Sequence, residues 1–284
     1  MDYLNSYADF LKKFYSPRGK KIIFDCSNGT VGPIFKKLGV KFLVNDRPDG
    51  NFPAHGPDPM KPEALQDISE AVKENKADLG VIFDADGDRV FFMDDLRRGV
   101  DPDIVAVLIG KNFKGPVILD VRSGYLPREL LKNVKDCRVG HFFIKKMMAK
   151  IKAGFAAESS GHYYFPLGGG AYFDSGILAA LHLINSLPPK LSEFIYGLHH
   201  YFKTGELNFK IKDKTGIMKS IEKRFQKEAA KTSKIDGIKM EFKSPDWWFS
   251  VRPSNTEDLL RLNLEAKDEE IFEEKTKELR KFLK

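Results

Sequence analysis

Apolar residues recur at helical spacing from Asp2 to Tyr15, where Tyr3, Tyr7, Phe10, Leu11 and Phe14 form one stripe. Ser16-Pro17-Arg18-Gly19 ends that helix, and Lys21 to Asp25 is a short run that predicts a strand. Ser27-Asn28-Gly29-Thr30 predicts a turn into a helix through Leu38, and Val40 to Val44 predicts a second strand. A loop with Pro, Gly and His, Asp49 to Pro57, precedes a helix from Pro62 to Asn75. Pro suits that first helical turn, because its missing N–H would have no intrahelical partner there. Leu79 to Phe83 and Val90 to Met93 then read as apolar strands on either side of an acidic loop.

The alternation repeats. Helices are expected over Pro102 to Lys111, Pro127 to Val134 and His141 to Lys152, with buried strands at Val117 to Val121 and Gly154 to Ala157. An aromatic strand, Tyr163 to Phe165, leads to helices from Ser175 to Asn185 and from Leu191 to Phe202. From Gly205 the order changes to a strand (Leu207 to Ile211), a helix (Lys214 to Lys227), three strand-like runs ending at Leu264, and a helix from Asp268. This predicts an α/β chain: two mixed α/β domains, residues 1–99 and 100–203, then a small α+β domain over 204–284.

A chain of 284 residues with 42% hydrophobic and 31% charged residues is ordinary for a globular protein of that size. The formal charge of +7 could suit an anionic partner, but Lys36-Lys37, Lys145-Lys146 and Lys277-Glu278 scatter over helix-like faces. A solvated surface is the first reading of that charge and a small anionic ligand the second; without a basic stripe interleaved with aromatics, nucleic acid is third and is not expected as a partner. Cys26 and Cys137 stand far apart and form neither a disulfide framework nor a Cys-based zinc motif. No apolar run is long enough to span a bilayer and no signal peptide is visible, so a cytoplasmic location and no membrane partner are expected.

Three loops carry chemistry. In Phe83-Asp84-Ala85-Asp86-Gly87-Asp88-Arg89-Val90, three carboxylates at alternate positions can converge on one hard cation, with Arg89 beside it suited to phosphate. The EF-hand pattern fails, because its required Gly would fall at Arg89. Glu158-Ser159-Ser160-Gly161-His162 offers a carboxylate, two hydroxyls and an imidazole that can bind vicinal sugar hydroxyls; alone it is equally a polar turn capping a strand. Arg252-Pro253-Ser254-Asn255-Thr256 has the composition of a phosphate cradle, or else of a hairpin whose Arg pairs with a neighbouring strand. Arg138-Val139-Gly140-His141, with Lys145 and Lys146, can present positive charge at a helix N-terminus. His199-His200 read as surface helix residues.

In this order and spacing the loops resemble those of the α-D-phosphohexomutases, that is, the phosphomannomutases and phosphoglucomutases. Asn51-Phe52-Pro53, Val139-Gly140-His141 with Ile144-Lys145, and Phe173-Asp174-Ser175-Gly176 extend the resemblance over nearly the whole chain. Tyr163-Tyr164-Phe165 and Asp174-Ser175-Gly176 look most like the bacterial phosphomannomutase branch. The resemblance implies a central cleft in which Asp84, Asp86 and Asp88 hold Mg²⁺ and Arg89 helps to place phosphate. Glu158, Ser160 and Gly161 would hold the sugar, with His141 and Lys145 beside it and His162 in proton transfer. Arg252, Ser254, Asn255 and Thr256 would grip the phosphate that is not reacting. The implied reaction moves phosphate between the 1- and 6-positions of mannose or glucose, with a hexose 1,6-bisphosphate as intermediate and activator.

Two departures qualify it. The family's first domain carries a phosphorylated serine in a Ser-His-Asn-Pro-like loop, and no such loop occurs here. The chain is therefore expected to be inactive alone. It would be part of a longer enzyme, a subunit completed by a separate phosphoserine-bearing domain, or a non-catalytic sugar-phosphate binder. The apolar stripe of the opening helix (Tyr3, Phe10, Phe14) would then dock that partner. Arg122 stands where members often have Lys, which keeps a catalytic electrostatic role but not acid–base work.

Overall fold

The computed structural model describes residues 2–254 and 257–284. Helix α1 (Tyr3–Lys12) begins at Asp2, whose carboxylate accepts the Asn5 N–H at 3.1 Å. The first sheet follows: β1 (Ile22–Asp25), α2 (Val31–Lys37), β2 (Leu43–Val44), α3 (Pro62–Asn75), β3 (Leu79–Phe83) and β4 (Val90–Asp94). Its order is β2-β1-β3-β4, with β1 parallel to both neighbours and β4 antiparallel to β3. The acidic loop is thus the tip of the β3–β4 hairpin.

The second sheet comes from α4 (Pro102–Gly110), β5 (Val117–Asp120), α5 (Tyr125–Leu130), β6 (Val134–Cys137), α6 (His141–Ile151), β7 (Phe155–Ala157), β8 (Tyr163–Pro166), β9 (Tyr172–Asp174), α7 (Gly176–Asn185) and α8 (Leu191–Tyr196). Its order is β6-β5-β7-β8-β9. The third is antiparallel throughout: β10 (Phe202–Lys203), β11 (Leu207–Lys210), α9 (Lys214–Phe225), β12 (Lys231–Ser233), β13 (Ile238–Phe242), β14 (Trp247–Pro253) and β15 (Leu259–Ala266), closed by α10 (Glu269–Phe282).

Several expectations need correction. The helix placed over Pro127 to Val134 instead ends at Leu130, and Val134 opens β6, parallel to β5. That edge strand carries Lys135 and Asp136, so it has no apolar run to announce it. The helix from Leu191 stops at Tyr196, which leaves His199-His200 outside it, and Phe202–Lys203 pairs with the end of β15 in the third sheet. Of Val40 to Val44 only Leu43–Val44 is strand, and β9 went unforeseen. Most of the opening stripe covers the protein's own core. Phe10 and Phe14 pack against it, Phe14 lies 5.4 Å from the His182 ring, and only Tyr3 of the three is exposed.

The first two sheets share one core. Phe24, Phe35 and Phe83 from the first join Leu119 and Phe155 from the second through the buried helices α4 and α7. Each such side chain contributes on the order of 2 kcal/mol of burial. The third unit has a separate core around Phe225, Trp247 and Phe249, with Phe242 stacked 4.0 Å from Trp247.

Lys239 joins the third unit to the second. Its Nζ donates to the Val121 carbonyl at 2.9 Å and lies 4.0 Å from the Trp248 ring centroid. Burial, with Arg128 nearby, pushes its pKa down to about 8. The unfolded chain keeps this proton to about pH 10.4, so between those values the unfolded state binds more protons and stability rises with pH. Between about pH 7.5 and 9.5 Lys239 should add roughly 2 kcal/mol. Denaturant unfolding at the two pH values checks it, because Lys239→Met should flatten that rise.

Candidate active site and metal centre

Asp84 directly follows β3 and is buried. Its Oδ1 accepts the Gly87 N–H at 3.0 Å and the Arg89 N–H at 3.1 Å, while Oδ2 accepts Arg89 Nε at 2.8 Å. The loop therefore winds around this carboxylate. One oxygen from each of Asp84, Asp86 and Asp88 lies within 4.8 Å of the others. Burial, then contact with Asp88, pushes the Asp84 pKa up to about 6, whereas His162 holds Asp88 below the usual carboxylate range. An all-oxygen set under that mutual repulsion fits a hard divalent cation.

Two glycines let the loop be clamped from both sides. A Cβ on Gly29 would fall 2.2 Å from the Ala85 carbonyl oxygen, and next to it the Thr30 N–H donates to that oxygen at 2.8 Å. Thr30 Oγ1 also donates to the Asp86 carbonyl at 3.1 Å. On the other side Gly176, which opens α7, donates its N–H to the Gly87 carbonyl at 3.0 Å. The helices beside the hairpin thus set where the carboxylates stand.

The sugar-loop candidates meet this hairpin. The Val90 N–H donates to the Gly161 carbonyl at 3.1 Å, and His162 Nε2 stands 3.3 Å from Asp88 Oδ2. His162 Nδ1 is hydrogen-bonded to Ser160 Oγ at 3.1 Å. Glu158 is buried, with Oε1 accepting the Gly140 N–H at 2.8 Å and Oε2 accepting the Tyr164 hydroxyl. Both of its oxygens therefore already have partners inside the protein.

Arg122 grips Asp120 through Nε and a terminal nitrogen at 3.1 and 2.8 Å, and reaches Ser160 Oγ at 3.4 Å. Burial opposes its charge, but Asp120 and Glu206 outweigh that and raise its pKa further. A permanently charged guanidinium at this place suits electrostatics rather than proton transfer.

Arg252 differs from its expected place. It lies within β14, paired across from Arg261, and is fully buried rather than leading an open turn. The long apolar run Trp247-Trp248-Phe249 carries the strand past it. Its guanidinium donates to Glu206 Oε2 at 2.9 Å, Arg261 donates to Oε1 at 3.1 Å, and Arg122 stands 3.5 Å from Oε2. Burial disfavours the Glu206 charge, yet the three arginines hold its pKa below the usual carboxylate range. Arg252 Nε is buried with no hydrogen-bond partner among the described residues. The Ser254 N–H donates to the Leu259 carbonyl at 2.9 Å, and Ser254 Oγ accepts the Glu257 N–H at 3.2 Å. Asn255 and Thr256 lie outside the described residues.

Glu206 was missed because Thr204-Gly205-Glu206 reads as a polar linker, with nothing local to mark a hub for three arginines. Asp174 was missed as well. It hydrogen-bonds His141 and accepts Lys145 Nζ at 2.8 Å, so both predicted cationic groups converge on it. Burial works against its charge, but Lys145 and His141 outweigh that and keep its pKa low. The His141 and His162 rings meet edge-on with centroids 4.3 Å apart. Arg138 does not join this group and stacks 3.9 Å over Phe143.

Asp88, His162, Ser160, Arg122, Glu206 and Arg252 therefore form one unbroken path, each within 3.5 Å of the next. It runs through all three units. A cavity of about 660 Å³ lies elsewhere, beside α10, lined by Lys203, Phe272, Lys277 and Arg280 and by none of the three loops.

Family models match in sequence along the chain. They are "Phosphoglucomutase/phosphomannomutase, alpha/beta/alpha domain II" over residues 2–97, "alpha/beta/alpha domain III" over 101–199, and the "C-terminal domain" over 206–281. The chain belongs to the phosphoglucomutase/phosphomannomutase family. A phosphomannomutase of Methanocaldococcus jannaschii is 38% identical over 298 residues, covering 99% of this chain and 65% of that protein. The crystal structure of a family protein from Burkholderia thailandensis superposes with a TM-score of 0.85 at 27% identity, over 99% of this chain and 64% of that one. An Aspergillus fumigatus N-acetylphosphoglucosamine mutase, solved with GlcNAc-6P and magnesium, shares the fold at a TM-score of 0.61 and 16% identity, over 99% of this chain and 64% of that one. The chain thus spans about two thirds of the length of these phosphohexomutases.

Proposed function

We propose that this chain is the substrate-holding part of a phosphohexomutase acting on mannose or glucose phosphates. The continuous path from Asp88 to Arg252 carries this reading, because it brings the metal, sugar and phosphate candidates of three sheets into contact. Asp84, Asp86 and Asp88 would hold Mg²⁺, which supplies charge neutralisation at the phosphoryl oxygens when bound. Arg89 and Arg122 would complement the remaining negative charge. Ser160 and Gly161 would meet the sugar with Glu158 behind them, and His162 would move a proton at a sugar hydroxyl. His141 and Lys145 would lie beside the sugar, and Arg252, Ser254, Asn255 and Thr256 would bind the phosphate that is not reacting. A clamp distant from the metal lets a hexose 1,6-bisphosphate turn over and present either end.

The units proposed are residues 1–99, 100–203 and 204–284, bearing metal, sugar and phosphate loops respectively. The two cysteines are free and buried, which suits a cytoplasmic location. Among the described residues no helix is long and apolar enough to cross a membrane.

Calorimetric titration with mannose 6-phosphate, with and without Mg²⁺, tests the reading. Saturable binding is expected, at least about tenfold tighter for glucose 1,6-bisphosphate when Mg²⁺ is present. Asp86→Asn should remove the Mg²⁺ dependence and leave mannose 6-phosphate binding in place. The absence of any ligand heat from the folded protein would end the proposal.

A further inference from the structure

A second donor set shares one corner of the site. One ligand atom from each of Asp88, His141, His162 and Asp174 lies within 4.8 Å of the others. They come from the β3–β4 hairpin, the start of α6, the β7–β8 loop and the end of β9. Two imidazoles and two carboxylates differ chemically from the three carboxylates next to them. Imidazole nitrogen favours borderline ions such as Zn²⁺ over Mg²⁺, which prefers oxygen and keeps its waters. Two carboxylates would also balance the charge of a divalent ion.

The surroundings already orient these groups as the outer partners of a metal site do. His162 Nδ1 is occupied by Ser160 Oγ at 3.1 Å, which turns Nε2 to Asp88 at 3.3 Å. Lys145 holds Asp174 Oδ1 at 2.8 Å, which leaves Oδ2 for His141. Four-coordinate zinc, with bonds of about 2.0–2.1 Å, separates its ligand atoms by roughly 3.3 Å. The Asp88–His162 pair already has that spacing. The His141 side chain is 45% exposed, which leaves an entry path, and a bound ion would replace its hydrogen bond to Asp174.

We propose that Asp88, His141, His162 and Asp174 form a binding site for Zn²⁺ or a similar transition ion, distinct from the three-carboxylate set. Because Asp88 belongs to both sets, the two ions compete for its carboxylate; this competition rests on the magnesium reading above, whereas the zinc site itself does not. An ion here joins the first unit to the second and withdraws His162 from any proton transfer.

Cobalt is the probe, since four-coordinate Co²⁺ absorbs strongly in the visible and Zn²⁺ displaces it. The 284-residue protein, free of chelator, should develop that band and lose it on addition of Zn²⁺. Asp174→Asn and His141→Gln should each weaken Co²⁺ about 10–100-fold. Both should keep Mn²⁺ binding, read by paramagnetic resonance as a substitute for Mg²⁺. Asp86→Asn should do the reverse and lose Mn²⁺ while keeping the Co²⁺ band. In the unaltered protein Zn²⁺ should release bound Mn²⁺. No band at all, or a band that survives Asp174→Asn and vanishes in Asp86→Asn, overturns the proposal. Failure of the unaltered protein to bind Mn²⁺ when neither Zn²⁺ nor Co²⁺ is present, while a separate sample gives the Co²⁺ band, would sink the magnesium reading alone.

Discussion

Arg252→Met is expected to weaken binding of mannose 6-phosphate by about 100-fold, the largest loss from any single side chain in the site. Arg252 is buried and directs a planar fork at the Glu206 carboxylate, 2.9 Å away, while its Nε has no partner among the described residues. An arginine held this way is ordered in advance, so little side-chain freedom is lost when it takes an oxyanion. Methionine keeps most of the apolar stem and removes the charge. Glu206 would keep Arg122 and Arg261, at 3.5 and 3.1 Å, and so would not be left as a lone buried charge. The stability cost should therefore be about 2 kcal/mol, less than the 3–5 kcal/mol usual when a buried ion is left unpaired. Arg252→Lys, which restores charge without the fork, should recover only part of the affinity. Calorimetry and denaturant unfolding on the same samples check both numbers. A folded Arg252→Met protein with unchanged affinity would make Arg252 a structural partner of Glu206 and nothing more.

How far the fold was legible depends on whether an element announces itself locally. Pro62–Asn75 carries its own start signal and apolar spacing, and its bounds agree with the sequence reading. The hairpin strands Leu79–Phe83 and Val90–Asp94 are buried on both faces and read as unbroken apolar runs. By contrast, β6 and β9 are short edge strands whose existence depends on a neighbour to pair with. Phe202–Lys203 has the same dependence: its partners, Ala266 and Glu265, lie about sixty residues away. Lacking that information, helical continuation from Leu191 was the default.

The site divides in the same way. Asp84, Asp86 and Asp88 share one loop, and their alternation with Gly87 and Arg89 between two apolar runs suggested a cation. Asp174 and Glu206 act through residues distant in sequence: Asp174 through His141 and Lys145, Glu206 through Arg122, Arg252 and Arg261. A single carboxylate beside a glycine carries no mark of three arginines that arrive only on folding. Arg252 was recognised as an anion grip, but its burial in a strand follows from the register of Trp247–Pro253 on Leu259–Ala266.

The second large effect concerns turnover. The resemblance implies that the phosphoryl donor is a phosphorylated serine in a Ser-His-Asn-Pro-like loop, a motif that does not occur in this sequence. The described residues position charge and hydroxyls, which accelerates transfer only when a donor is present. A coupled assay of mannose 1-phosphate conversion, with Mg²⁺ and a catalytic amount of glucose 1,6-bisphosphate, measures this directly. The chain alone should give no conversion. Addition of the part of the Methanocaldococcus jannaschii relative outside the matched region should raise the rate by a factor on the order of 10³ or more. Conversion by the chain alone, from preparations freed of host mutase, would contradict the account. So would a mixture that stays inactive while both parts are folded and the chain binds its hexose phosphate.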